Sequence, residues 1–211
     1  MEDKLTDILR ETTKLFIKYG IRSLSMDDIC RELGISKKTM YQYVSNKNEL
    51  VVKVLEGIVN GAVCSIDLAK PQNLNAIDLL LWVSRHVAEK FQNFNPAMSF
   101  DLNKYYPEEY KAFIKSKKEL LAELVKKNLQ QGVENGFYRE DLDHELIARL
   151  YVHNLETIQD PEFTSSEDFN FEKIFNVLFD SHIRSICNAK GIAYYEEQLR
   201  NNISTGNIEN N

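Results

Sequence analysis

The residues of this sequence best suited to act on a polyanion are five cations crowded into one stretch. Arg31, Lys37, Lys38, Lys47 and Lys53 stand against only Glu32 and Glu49. Such a cluster can neutralise phosphates and release their counterions, so the chemistry it is compatible with is phosphate contact. Groupings suited to catalysis do not emerge. His86, His144, His153 and His182 are scattered, and neither His-x-x-x-His nor Cys-x-x-Cys spacing occurs. A Gly-rich phosphate loop and a Gly-x-Ser-x-Gly nucleophile turn are also missing from the sequence. Glu145 and Glu156 flank His153 at helical distance without a third ligand, so the histidines read as helix-surface or core residues. The chain is expected to be no enzyme and to hold no metal or cofactor. Cys30, Cys64 and Cys187 are far apart and odd in number, each within a helical pattern, and read as buried thiols of a reducing compartment.

A net charge of −6 over 211 residues would by itself argue against DNA, but the charge is unevenly spread. Residues 1–50 carry nine basic and eight acidic residues, whereas the remaining 161 carry 17 and 24. A nearly neutral module with one basic face is thus followed by an acidic body. With only 8 Gly and 4 Pro the chain has too few turn formers for many short strands, so an all-α fold is expected. No stretch approaches the roughly 18 apolar residues of a membrane span, and the charged, amphipathic N-terminus lacks a signal-peptide core. The expected location is the cytoplasm.

The elements that must position the cations can be read from their caps. Leu5, Ile8, Leu9, Thr12, Leu15, Phe16 and Tyr19 line one side of a first helix, which Gly20 ends in a left-handed cap. Ser25, with Asp28 three residues on, starts a short second helix striped by Met26, Ile29, Cys30 and Leu33, and Gly34 gives it a tight exit. Ser36 caps a third helix beginning at Lys37 and running through Tyr41. Two short helices meeting at Leu33-Gly34-Ile35-Ser36 form a helix-turn-helix, whose first helix holds the second so that its exposed end can enter a major groove. Asn46 as N-cap and Glu49 as its capping-box partner open a fourth helix with Leu50, Val51, Val54, Leu55, Ile58 and Val59 as its buried stripe.

Beyond a break at Pro71-Gln72-Asn73, helices are expected from Leu74 to Phe91, from Asn95-Pro96 through Leu102, and from Pro107 to a cap at Gly136. Gly132 reads as a weak point of the last of these. Two apolar helices follow, one from Asp143 to Ile158 and one from Phe171 to Cys187, with a polar loop between them. The resulting division is residues 1–48 as a DNA-binding helix-turn-helix domain, 49–200 as a ligand-binding and dimerisation domain, and 201–211 as a polar, disordered tail.

The segment DILRETTKLFIKYGIRSLSMDDICRELGISKKTMYQYVSNKNELV resembles the DNA-binding domain of the TetR family of bacterial transcriptional regulators over roughly residues 5 to 53. The later GVENGFYREDLDHELIARL resembles the family's C-terminal half more diffusely. Val44 replaces the commoner Phe and stays apolar. The resemblance implies an all-helical homodimer in which a three-helix reading head joins, through a fourth helix, a helical-bundle effector domain whose last two major helices form an intersubunit bundle. It implies a ligand-responsive regulator, more often a repressor, that leaves its palindromic double-stranded DNA operator when a small molecule binds. By the same resemblance, the DNA contacts are Ser36, Lys37, Lys38, Thr39, Tyr41, Tyr43 and Lys47. Lys37 and Lys38 can reach a guanine edge or a phosphate, and Thr39 can offer hydroxyl or methyl to bases. Tyr41 and Lys47 suit phosphate clamps, and Tyr41 and Tyr43 equally suit packing of the third helix. The alternatives are a helical dimeric protein-interaction module without operator binding and a helical enzyme.

An aromatic run in the middle of the chain completes the candidate sites. Trp82, Phe91, Phe94, Met98, Phe100, Tyr110 and Phe113, with His86 as a polar anchor, are expected to line an effector pocket; a packed core explains them equally well. The acid excess favours neutral or cationic ligands, while Lys111, Lys115, Lys117 and Lys118 oppose that choice.

Overall fold

Each N-terminal helix carries its own start and stop, and the computed structural model, which describes residues 2–69, 71–92, 96–157 and 171–206, realises them. Helix α1 (Glu2–Tyr19) buries Ile8, Thr12 and Phe16 and ends at Gly20, whose φ of 80° needs a residue without a side chain. Helix α2 (Met26–Glu32) opens with a reciprocal box. The Ser25 hydroxyl accepts the Asp28 N–H at 3.1 Å, and the Asp28 carboxylate accepts the Ser25 N–H at 2.9 Å. That carboxyl is held down at about 2 by the Ser25 hydroxyl and amide and by the Arg31 guanidinium, so the cap stays charged at any physiological pH. Helix α3 (Lys37–Met40) is a single turn capped by Ser36, shorter than expected, with Tyr41 already its C-cap. Before α4 (Lys47–Ala69), Asn46 accepts the Glu49 N–H at 2.9 Å as expected. The Glu49 carboxylate reaches one residue further back than expected, taking both the N–H and the hydroxyl of Ser45 at 2.6 Å.

The later helices are α5 (Ala76–Gln92), α6 (Pro96–Tyr105), α7 (Pro107–Glu134), α8 (His144–Thr157), α9 (Phe171–Ile186) and α10 (Ala189–Gly206). Apart from one isolated antiparallel bridge, Tyr138 with Cys187, the regular structure of the described residues is helical, and no described helix is long and apolar enough to cross a membrane. The loop before α8 meets expectation, with Asp143 capping the Leu146 N–H at 3.0 Å. Helix α10 is new: Asn188 accepts the Gly191 N–H at 3.0 Å, and Tyr195 is buried with Ile192 and Leu199 beside it. The helix continues to Gly206, into the segment expected to be a disordered tail, while residues 207–211 lie outside the described residues.

Two compact units result. The first comprises Met1–Ala69 and Lys90–Glu119, the second Lys70–Glu89 and Leu120–Asn211, so α7 contributes to both and the unit around the head reaches well beyond residue 48. In the first unit Phe16, Ile21, Ile29, Met40, Leu50 and Val51 are fully enclosed, and α1 packs against α4 and α6. In the second, Ile77, Leu129, Tyr138, Ile183 and Ile186 form the centre, with α8 against α9. Cys30 and Cys187 are buried thiols, as expected, and the side chain of Cys64 lies outside the described residues. Burial lowers the imidazole of His182 to about 4, where it stacks on Tyr151 with 3.9 Å between ring centroids.

Gly132 does more than weaken a helix. A methyl group there would begin 1.9 Å from the ring of Tyr138, whose hydroxyl donates to Asn128 Oδ1 at 3.1 Å. Asn128 in turn donates to the Ala76 carbonyl at 2.9 Å, so the absent side chain lets one ring tie α7 to α5. Substituting Gly132→Ala adds about 1 kcal/mol of helix propensity, but the overpacking costs more. The expected net change is a loss of about 2 kcal/mol, read as a lower urea midpoint.

Candidate nucleic-acid interface

The helix-turn-helix is held by apolar pins and leaves its polar side chains outward. Ile29 and Cys30 of α2, Met40 of α3 and Val44 after it are buried, while Gly34, at φ 65°, turns the chain between the helices. With Met40 inward, Ser36, Lys37, Lys38 and Tyr41 are exposed, and Thr39, Tyr43 and Lys47 are half-buried. Tyr43 packs on the core of the first unit, whereas Tyr41 keeps 49% of its surface open. Gln42, which the sequence reading passed over, is also exposed beside them.

The side chains on α3 are already engaged in part. The Lys37 ammonium pairs with Asp27 at 2.7 Å, which raises its pKa. Both partners are largely exposed, so solvent screens the pair and it exchanges readily for a phosphate or a base edge. Thr39 shares a 2.8 Å hydrogen bond with the Ser36 hydroxyl and donates its own N–H to it at 3.0 Å, which fixes the direction of the threonine methyl.

Lys47 has an inward task as well. From the first residue of α4, its ammonium donates to the carbonyl of Ile21 at 2.7 Å and to that of Leu24. The carboxylate of Asp101, on α6, accepts the Arg22 N–H at 2.7 Å on the same turn. A side chain on Gly20 would begin 2.9 Å from that carboxylate, so glycine is needed here for approach as well as for its φ. The Arg22 guanidinium lies over the Tyr105 ring, 4.3 Å from its centroid. Residues 20–24, which lead into α2, are therefore gripped by α4 and by α6. Burial lowers the pKa of the Lys47 ammonium, and Asp101 opposes that shift.

The first unit also contains a cavity of about 460 Å³ between α4 and the start of α7. Val52, Leu55, Glu56, Val59 and Asn60 form one wall, at the spacing of one helix face. Glu108, Glu109, Ala112, Phe113 and Ser116 form the other. Among the described residues expected to make a pocket, Phe113 alone lines this cavity, with Tyr110 stacked beside it at 6.5 Å. Met98 is packed in the core of the first unit, Phe100 is 61% exposed next to Lys104, and Trp82 belongs to the second unit. The side chains of His86 and Phe91, and Phe94 entirely, lie outside the described residues. The α4 wall was overlooked because its aliphatic residues read simply as core.

Two short helices joined at a glycine, with hydroxyls and cations turned outward from the second, define a helix-turn-helix transcriptional regulator. Residues 8–54 match the family described as bacterial regulatory proteins, tetR family. Among curated relatives, the HTH-type transcriptional regulator YvaF of Bacillus subtilis (strain 168) is 27% identical over 181 residues, covering 82% of this chain and 92% of the relative. The HTH-type transcriptional repressor KstR2 of Mycobacterium tuberculosis is 20% identical over 147 residues, 68% of this chain and 74% of the relative. A transcriptional regulator from Cytophaga hutchinsonii has the same fold, with a TM-score of 0.72, 20% identity and coverage of 88% of this chain and 99% of that one. The likeness to the tetR family is thus carried by residues 8–54, and the helical fold is shared with a solved transcriptional regulator.

If Lys47 braces the turn, its loss acts on the protein before any DNA is present. Lys47→Met keeps the apolar stem and leaves the Ile21 and Leu24 carbonyls without a charged donor. The expected cost is about 2 kcal/mol of stability, measured by chemical denaturation without DNA.

Proposed function

We propose that this regulator is a ligand-responsive repressor: a homodimer that holds a palindromic operator and releases it when a small molecule fills the cavity between α4 and α7. One observation carries the reading. Helix α4 is shared, since its first residue grips the turn leading into the helix-turn-helix and its following turns wall the cavity. An occupant that favours a different position of α4 acts on that turn through Lys47, and the population moves away from the DNA-competent state. A dimer reads two half-sites about one DNA turn apart or a multiple of it, so a small change at each head alters the spacing that fits. The reading contains no catalytic step, and its compartment is the cytoplasm, where the operator is.

In this reading Lys37 and Lys38 reach base edges or phosphates from α3, Thr39 meets bases, and Ser36, Tyr41 and Tyr43 contact the backbone. Lys47 has three N–H donors, two of them given to carbonyls, and offers its third to a phosphate. For the dimer, the relevant surface is on the second unit. Leu146 and Leu150 are exposed one turn apart on α8, and Val177 of α9 is 68% exposed. These are large apolar side chains of the kind that helix–helix interfaces cover.

Selection from randomised duplexes at stated salt is expected to return a palindrome. Lys37→Ala or Thr39→Ala then changes the preferred bases, at about 1–3 kcal/mol per lost contact, and Lys38→Ala lowers the slope of log affinity against log salt by about one. Recovery of no sequence, or an unchanged preference in all three variants, would sink the reading.

The dimer is tested separately. Leu150→Glu with Val177→Glu is expected to sediment as a folded monomer and to lose cooperative operator binding. A stable dimer in that variant would move the interface elsewhere.

A further inference from the structure

The cavity between α4 and α7 also specifies the charge of what it holds. Its floor is apolar, made by Val52, Leu55 and Val59 from α4 and by Ala112 and Phe113 from α7. Its remaining wall carries three carboxylates, Glu56, Glu108 and Glu109, and two neutral polar side chains. Among the described residues no lysine, arginine or histidine lines it, and none is paired with any of the three carboxylates. The lysines that left the charge of a ligand undecided in the sequence are therefore off the site. Lys111, Lys115, Lys117 and Lys118 do not line the cavity, and Lys115 faces Glu119 at 3.9 Å instead.

Glu108 and Glu109 stand in the first turn of α7, where the helix dipole favours a carboxylate whether or not a ligand binds. Glu56 has no such reason. It lies mid-way along α4, beyond the reach of either helix end, yet it adds a like charge to the same depression. Three uncompensated carboxylates around a concave apolar surface concentrate negative potential there, which attracts a cation and rejects an anion. The Phe113 ring suits an alkylammonium, because an aromatic face attracts a cation while burying its hydrocarbon. At about 460 Å³ the space lies within the usual range for a small molecule.

We propose that the effector of this regulator is a small amphipathic organic cation, bound in the α4–α7 cavity with its apolar part on Val52, Leu55, Val59 and Phe113 and its charge among Glu56, Glu108 and Glu109. This rests on the cavity being the effector site.

Calorimetry on the full chain with octyltrimethylammonium, octanol and octyl sulfate, each below its aggregation threshold, separates charge from hydrocarbon. The cation is expected to bind about tenfold or more tightly than the alcohol, with no binding of the sulfate, and added salt narrows the gap. The triple variant E56Q/E108Q/E109Q is expected to bind cation and alcohol equally. Glu56→Gln alone, which leaves the start of α7 untouched, gives part of that loss and serves if the triple variant is misfolded by circular dichroism. Equal binding of cation and alcohol by the unaltered protein, no binding of the cation, or a preference that survives in a folded variant each overturns the proposal. Operator affinity is followed by anisotropy in the same samples. If operator binding is intact and cation preference absent, only the effector class falls. If no operator is bound while the preference holds, the regulatory reading falls and the site stands. Cation binding that leaves operator affinity unchanged removes the role as effector.

Discussion

The grip on residues 20–24 is the constraint on which the reading head depends. This short turn sets where α2 begins, and α2 sets where α3 stands, yet the turn has few regular hydrogen bonds of its own. Its carbonyls are tied to the Lys47 ammonium of α4 and its Arg22 amide to the Asp101 carboxylate of α6. Gly20 allows both its backbone conformation and the approach of that carboxylate. A single turn such as α3 has no stability as an isolated helix, so its orientation must come from such contacts and from the burial of Met40.

The same grip joins recognition to the rest of the first unit. Charged side chains at the N-terminus of α4 and on α6 act on backbone groups of the turn, and α4 continues as a wall of the cavity. A displacement of α4 that is small beside a ligand is large beside a hydrogen bond, which loses most of its strength as its geometry opens. The proposed coupling of head and cavity therefore requires no long pathway, because the two share one helix.

Electrostatics divides the labour. Cations on α3 are exposed, with the Lys37–Asp27 pair weak enough to be replaced by phosphate, whereas the carboxylates around the cavity have no described basic partner. A net charge of −6 thus describes neither site. On the proposed reading, the near-neutral head limits adhesion to arbitrary DNA, and the acidic depression selects its ligand by sign before it selects by shape.

The sequence by itself determined the all-helical class, the caps at Ser25, Ser36 and Asn46, the glycine turns at 20, 34 and 136, and the outward-facing cations of α3. It could do so because capping and helical periodicity act within about four residues, a range over which neighbours in the chain are neighbours in space. Helix α10 was legible in the same way, from Asn188 and the spacing of Ile192, Tyr195 and Leu199, and was missed because the polar end of the chain outweighed it. Tertiary structure alone decided what joins distant segments: Lys47 with a carbonyl 26 residues away, Asp101 with an amide 79 residues away, and Gly132 with the ring of Tyr138. It also decided which apolar residues are core and which border an opening. Met98 and Phe113 look alike in the sequence, but one is enclosed by its own unit and the other faces a cavity, and only the packing of other helices distinguishes them.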